Sequence, residues 1–202
     1  MPNGIQIGVG VKTGAVYRIT EQGNMISTEN PYDLAIQGKG FFRVLLPSGE
    51  EAYTRAGVFS LSPEGQLVTQ NGFQLQPAIT IPQDAIDVSI SETGQVQVRI
   101  AGQTTPQVVG QIELATFFNE AGLEATGDNL FLETTASGPA TTANPGNTGV
   151  GTVLQGFVET SNVNAVAEIT NLITAQRAYE MNSKVISTAD EMLSMTSRIA
   201  RG

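Results

Sequence analysis

Residues 157–201 read FVETSNVNAVAEITNLITAQRAYEMNSKVISTADEMLSMTSRIAR, forty-five positions without a Gly or a Pro. A stretch free of both breakers is a helix candidate. Ser161, Asn162 and Asn164 stand ahead of it as N-caps, because their side-chain oxygens can accept from the first orphan amides. A helix from about Asn162 to Arg201 would be ~60 Å long at 1.5 Å per residue. Leu172, Ala175, Tyr179, Asn182, Ile186, Ala189, Leu193, Thr196 and Ala200 recur at alternating spacings of three and four. Ile169, Ile173, Val185, Met192 and Ile199 are expected to widen that stripe. Glu180 and Lys184 stand four apart in the order that favours an ion pair.

A helix of that length cannot bury its stripe against one small domain, since globular helices average about a dozen residues. The chain shows no second helix of comparable length. The stripe is therefore expected to meet helices of other copies in a coiled coil or tubular bundle. Burial of five or six large apolar residues contributes on the order of 10 kcal/mol. That only matches the ~4–15 kcal/mol cost of association, so a stable polymer needs several neighbours for each subunit.

Working outward, residues 134–152 carry no charged side chain after Glu133 and consist mostly of Thr, Ala, Gly, Asn and Pro. That composition reads as a flexible loop or linker. The sharper alternative is an extended arm returning from a preceding domain. Before it lie short apolar or β-branched runs separated by turns: Val16–Thr20, Asp33–Gln37, Phe41–Leu46, Ala52–Arg55, Val58–Leu61, Gln66–Gln70 and Phe73–Gln76. Asn71-Gly72 between the last two marks a hairpin. Val88 and Ile90 alternate with polar residues, as do Val96, Val98 and Ile100, around a Glu92-Thr93-Gly94 turn. Val108–Phe118 and Asn129–Thr134 complete the set. The fold class is thus mainly β with one long C-terminal α-helix. Its parts are a connecting segment 1–33, an antiparallel β domain 34–134, a return linker 135–160 and an assembly helix 161–202.

The chain has 202 residues, 40% hydrophobic but only 14% charged, with a net charge of −9. The ten Lys and Arg are scattered. That argues against a nucleic-acid binder, which needs clustered cations to displace counterions. His, Cys and Trp are absent. No Ser-His-Asp triad, thiolate nucleophile or Cys/His zinc site can be built. Asp84 with Asp87, or Glu50 with Glu51, could pair as in glycoside hydrolysis, but both pairs sit in turn-like, solvated stretches rather than in a site that would make one of them an acid. Gly38-x-Gly40 lacks the third Gly and the Lys of a phosphate loop. Neither a catalytic site, a metal, a cofactor nor a small-molecule substrate is expected. No run of eighteen apolar residues crosses a membrane, and the N-terminus carries no signal-peptide pattern.

Several motifs then carry a resemblance. Glu159-Thr-Ser-Asn-Val-Asn164, Gln176-Arg-Ala-Tyr-Glu-Met-Asn-Ser-Lys184 and Thr188-Ala-Asp-Glu-Met-Leu193 closely resemble the C-terminal helix of the flagellar basal-body rod and hook protein family. Gly4-Ile-Gln-Ile-Gly-Val-Gly-Val11, Gln22-Gly23, Asp33-Leu-Ala-Ile36, Gly38-Lys-Gly-Phe-Phe42, Tyr53-Thr-Arg-Ala-Gly57, Gly65-Gln-Leu-Val-Thr69 and Pro77-Ala-Ile-Thr-Ile-Pro82 are similar to the family's approach to its β domain. Gly110-Gln-Ile-Glu-Leu-Ala115 and Gly127-Asp-Asn-Leu-Phe131 resemble its distal rod members more than the hook or proximal rod ones.

The resemblance implies a passive mechanical part. Subunits would stack helically into a hollow, periplasm-crossing shaft that carries torque from motor to hook. Implied partners are further copies of the chain, proximal rod and hook proteins, and the P-ring and L-ring. Implied export is through the flagellar type III channel. Family members begin with a helix that pairs with the C-terminal one, and Met1-Pro-Asn-Gly4 falls inside the family pattern, so that helix is expected to lie outside this chain. The self-assembly residues are read as Leu172, Gln176, Arg177, Tyr179, Asn182, Ile186, Ala189 and Leu193. Gln176, Arg177, Asn182 and Ser183 would set register by hydrogen bonds between subunits; the plainer reading makes them a solvated face. Tyr179, Met181, Met192 and Met195 read as packing residues rather than a ligand groove. The non-enzyme alternative is a β-rich surface fibre or adhesin subunit with the helix as its anchor.

Overall fold

The computed structural model describes residues 18–103 and 105–199. The Gly4–Val11 motif, the first two residues of the run 16–20, and residues 200–202 lie outside the described residues. The chain divides into two units, 1–160 and 161–202.

The first unit is antiparallel β throughout its described pairings. In chain order its strands are β1 (Met25–Ser27), β2 (Leu34–Gln37), β3 (Phe41–Leu45), β4 (Glu51–Thr54), β5 (Phe59–Leu61), β6 (Leu67–Thr69), β7 (Gln74–Gln76) and β8 (Ala85–Ile90). There follow β9 (Gln95–Ile100), β10 (Gln107–Gln111), β11 (Leu114–Thr116), β12 (Glu124–Gly127), β13 (Leu130–Leu132), β14 (Thr141–Ala143), β15 (Thr152–Gln155) and β16 (Phe157–Glu159). The largest sheet runs β12-β13-β4-β3-β7-β6-β5, with β11 joined to β3 and β14. A three-stranded sheet, β10-β9-β8, and two pairs, β15-β2 and β1-β16, complete the unit.

The alternation read in β8 and β9 places Val88, Ile90, Val96 and Val98 in the core. There they join Leu34, Ile36, Phe42, Leu67, Leu75, Ile112 and Leu114 in one cluster. A second cluster is aromatic: Phe41, Tyr53 and Phe117 pack edge to face, with Tyr53 and Phe117 centroids 4.8 Å apart. Gly57 is required by close approach, because a Cβ there would fall 1.5 Å from the Leu34 carbonyl oxygen.

Three sequence expectations change. Val108–Phe118 is two strands in different sheets. The backbone bulges between Val108 and Gly110 against β9, the Ile112 amide turns to donate to Gly94 O at 2.7 Å, and Leu114 then pairs with Phe42. Arg18–Thr20 has no regular structure. The uncharged run 134–152 is ordered rather than a loose loop. Thr134 and Ser137 tie their own turn, β14 pairs with β11, and the Gly151 amide donates to Lys39 O at 2.7 Å. Small polar residues there satisfy backbone groups locally, and the neighbouring strands supply the remaining partners.

The second unit is α1 (Ala165–Ile199), 35 residues and so roughly 52 Å long. Asn164 caps it: its Oδ1 accepts from the Val166 and Ala167 amides at 3.1 and 3.2 Å. The Glu180–Lys184 ion pair is not among those of the described residues. Glu180 Oε1 instead accepts from Gln176 Nε2 at 3.1 Å.

Candidate functional site

Every described side chain of α1 is exposed except Ala189, which is half-buried. Leu172, Tyr179, Ile186 and Leu193 are all exposed large hydrophobics, as are Met181, Val185, Met192, Met195 and Ile199. The helical step of about 100° sorts them into two faces. Leu172, Ala175, Tyr179, Asn182, Ile186, Ala189 and Leu193 form one seam. Met181, Val185, Thr188, Met192, Met195 and Ile199 also recur at spacings of four and three, in a row centred roughly 130° round from the first. Val185, Met192 and Ile199 therefore belong to a second seam, whose near edge at Val185 lies about 40° from Ala189 of the first.

The sequence-derived site residues divide accordingly. Leu172, Tyr179, Asn182, Ile186, Ala189 and Leu193 share the first seam, and Gln176 borders it. Arg177 lies about 160° round from Tyr179, on the edge next to the second seam. It stands in a row with Glu180, Lys184, Glu191 and Arg198, whose signs alternate along the helix. Five hydroxyls on α1 are already spent on the helix itself. Thr170, Thr174, Ser187, Thr188 and Thr196 each donate to the carbonyl four residues back, at 2.8–3.1 Å. Covering these faces would strand few donors.

Sequence reasoning passed over a second feature, at the end of the β unit. Arg55 uses its whole guanidinium fork. Nε and Nη2 meet Glu159 Oε2 at 2.9 and 2.8 Å, Nη1 donates to Gly38 O and Gly40 O, both at 3.0 Å, and Nη2 donates to Ile36 O at 3.2 Å. The other Glu159 oxygen accepts from the Gly23 amide at 2.9 Å. Gln22 closes the knot: its Nε2 donates to Ile36 O at 2.7 Å and its Oε1 accepts from the Gly38 amide at 3.0 Å. Beside it β1 runs antiparallel to β16, Met25 opposite Glu159, and the Thr160 amide donates to Asn24 O at 2.8 Å. The incoming segment and the strand that leads to α1 are thus locked together. The signal lay in motifs already quoted, Gln22-Gly23, Tyr53-Thr-Arg-Ala-Gly57 and Glu159, but nothing in sequence spacing says that they meet.

The known sequences that match cover both features. Residues 35–98 match the family described as the flagellar hook protein FlgE/F/G D1 domain, and residues 154–199 match the C-terminal region of the flagellar basal body rod FlgEFG proteins. The flagellar basal-body rod protein FlgG of Caulobacter vibrioides is 65% identical over 199 residues, covering 98% of this chain and 76% of the relative. This chain belongs to the flagellar basal-body rod protein family. FlgG of Agrobacterium fabrum is 50% identical over 198 residues, with 98% of this chain and 76% of the relative covered. The rod protein FlgF of C. vibrioides is 37% identical over 184 residues, with 89% and 69% covered. Within one organism the chain is therefore much nearer to FlgG than to FlgF. It is a structural subunit of the basal-body rod, a family of structural proteins rather than enzymes. Membership carries self-assembly and association with other basal-body components. The matches do not favour the surface-fibre or adhesin alternative.

Proposed function

We propose that the chain is a distal rod subunit that polymerises helically into a hollow shaft, with α1 as its assembly element. The shaft transmits torque from the motor to the hook. Its neighbours are proximal rod and hook proteins at its ends and the P-ring and L-ring around it. One observation carries this reading: α1 presents two apolar seams, centred roughly 130° apart, and both are exposed. A two-stranded coiled coil covers one seam only. A tube of helices covers both, because each helix lies between others. Leu172, Tyr179, Asn182, Ile186, Ala189 and Leu193 then pack one neighbour. Gln176 and Arg177 fix register by hydrogen bonds and charge.

The parting of Arg177 from the first seam supports that arrangement. In a tube it borders a different neighbour, and its charged row alternates in sign so that a shifted copy can pair with it. The experiment is assembly of the full-length protein with and without residues 161–202, followed by sedimentation and electron microscopy. Removal of the helix abolishes rods and leaves a folded, soluble β unit, while Arg177→Ala weakens assembly without unfolding that unit. Rods formed normally by the helix-less protein overturn the reading.

A further inference from the structure

A fully exposed phenylalanine stands on the surface of the β unit, at 102% relative exposure for Phe118. Its neighbour Phe117 is buried against Phe41 and Tyr53. Adjacent aromatics thus point in opposite directions, one anchoring the loop and one displayed by it. The loop is braced. Asn119 Nδ2 donates to Ala136 O at 3.0 Å, the Asn119 amide to Ser137 O at 3.3 Å, and Thr134 Oγ1 to Gly122 O at 2.6 Å. A rigid, preorganised aromatic loses little entropy on docking, which is how interface anchors behave.

The same unit carries a hollow of about 330 Å³ whose lining mixes Ala56, Val58, Phe73 and Leu130 with polar groups, Gln70, Asn71 and Glu159 among them. Asp128 sits on it, on a turn whose Asp128 and Asn129 both have positive φ, 51° and 60°. Phe118 and the hollow face different ways. Arg55 lines the cleft beside Phe118, whereas its neighbours Thr54 and Ala56 line the hollow. Successive side chains of an extended segment point to opposite faces. A knob on one face and a hollow on the other cannot satisfy each other in one molecule or in a closed twofold dimer. They repeat head to tail, the contact that generates an open helical assembly.

We propose that Phe118 of each subunit inserts into the Thr54–Ala56–Leu130 hollow of the next copy, making a lateral β-unit contact separate from α1. Charge sets the orientation. Lys39 and Glu120 line the cleft with Phe118, and Asp128 lines the hollow. Lys39 and Asp128 form no ion pair within the described residues. Arg55 of the cleft and Glu159 of the hollow are already paired with each other; of the remaining charges, the register that brings Lys39 to Asp128 places opposite signs together, and the reverse sets Glu120 against Asp128.

This contact rests on the rod-subunit reading, and the test separates the two. The sequence has no cysteine, so full-length Phe118→Cys, Asp128→Cys double variants give cross-links only where those positions meet. Mild oxidation of assembled protein gives a ladder of covalent multimers, and single variants give none beyond dimers. Phe118→Ala raises the concentration needed for assembly at least tenfold. Lys39→Glu does so more weakly, and adding Asp128→Lys restores it. If rods form and Phe118→Ala assembles at the wild-type concentration without a ladder from the cysteine pair, the contact is overturned while the rod reading stands. If deletion of 161–202 leaves assembly intact, the rod reading itself falls.

Discussion

The two units of this chain solve the same problem in opposite ways. The β unit buries its large apolar side chains within itself: Phe42, Leu34, Ile36, Leu67, Leu75 and Leu114 are essentially inaccessible. The helix is at least as rich in large apolar residues and leaves them outside, from Leu172 to Ile199. The difference lies in geometry rather than composition. A sheet of short strands curls and stacks so that alternate residues share one interior. A single rod of 35 residues has no interior to share. One unit therefore holds its own stability, and the other takes its stability from neighbours.

That contrast breaks most visibly under large-to-small substitution. Phe42→Ala in the unassembled protein removes a fully buried ring and costs the β unit roughly 3–5 kcal/mol. Leu172→Ala changes the unfolding of that unit by less than about 0.5 kcal/mol, because nothing buried is lost. Denaturant unfolding followed by near-ultraviolet signals measures both. If the two substitutions lowered the midpoint equally, α1 would not be the dependent partner that its exposure indicates. In assembled rods the order narrows, and Leu172→Ala acquires a cost of its own.

The next test concerns the seam between self-sufficient and dependent structure. Arg55 joins Glu159 to three carbonyls, with side chains only 24% and 12% exposed. Arg55→Ala leaves a carboxylate and several carbonyls short of donors, at a cost of roughly 2–3 kcal/mol. Hydrogen exchange localises the effect: the Gly23 and Thr160 amides lose protection, while Leu75 and Val96 keep theirs. Arg55→Lys rescues little, since an ammonium cannot span that fork. Uniform loss across the β unit would make the knot a general core contact instead of a tether at the helix base.

What the sequence made legible follows the same division. The helix and its asparagine cap could be read because periodicity and capping are local. The β8–β9 hairpin could be read because its alternation and turn are local too. Strands β1, β12, β14, β15 and β16 were not, since each is three or four residues long and defined by a distant partner. β15 shows why: Gln155 reaches the neighbouring β8, where its Nε2 donates to Val88 O and its Oε1 accepts from the Ile90 amide, both at 2.9 Å. No window of sequence around Gln155 contains that information. The second apolar seam of α1 was present in the letters, but simple spacing merged it with the first, and only angular position separates them. Arg55 was legible as part of a motif and not as a hub, because its partners lie up to 104 residues away.

The smallest expected effect uses pH to mark which unit is self-contained. Burial pushes the Tyr53 phenol above its ordinary value of 10.0, with Glu51 and Glu133 adding to the shift and Arg43 opposing it. The folded β unit therefore holds this proton more tightly than the unfolded chain does. The stabilisation is fully present below the unfolded value and is lost as pH rises through that value towards the raised one. One proton limits the slope to about 1.4 kcal/mol per pH unit. Unfolding midpoints taken from pH 8 to 11 should fall above pH 10, and Tyr53→Phe should flatten that fall. An alkaline fall that persists undiminished in Tyr53→Phe would mean that this buried phenol is not what ties the β unit's stability to pH.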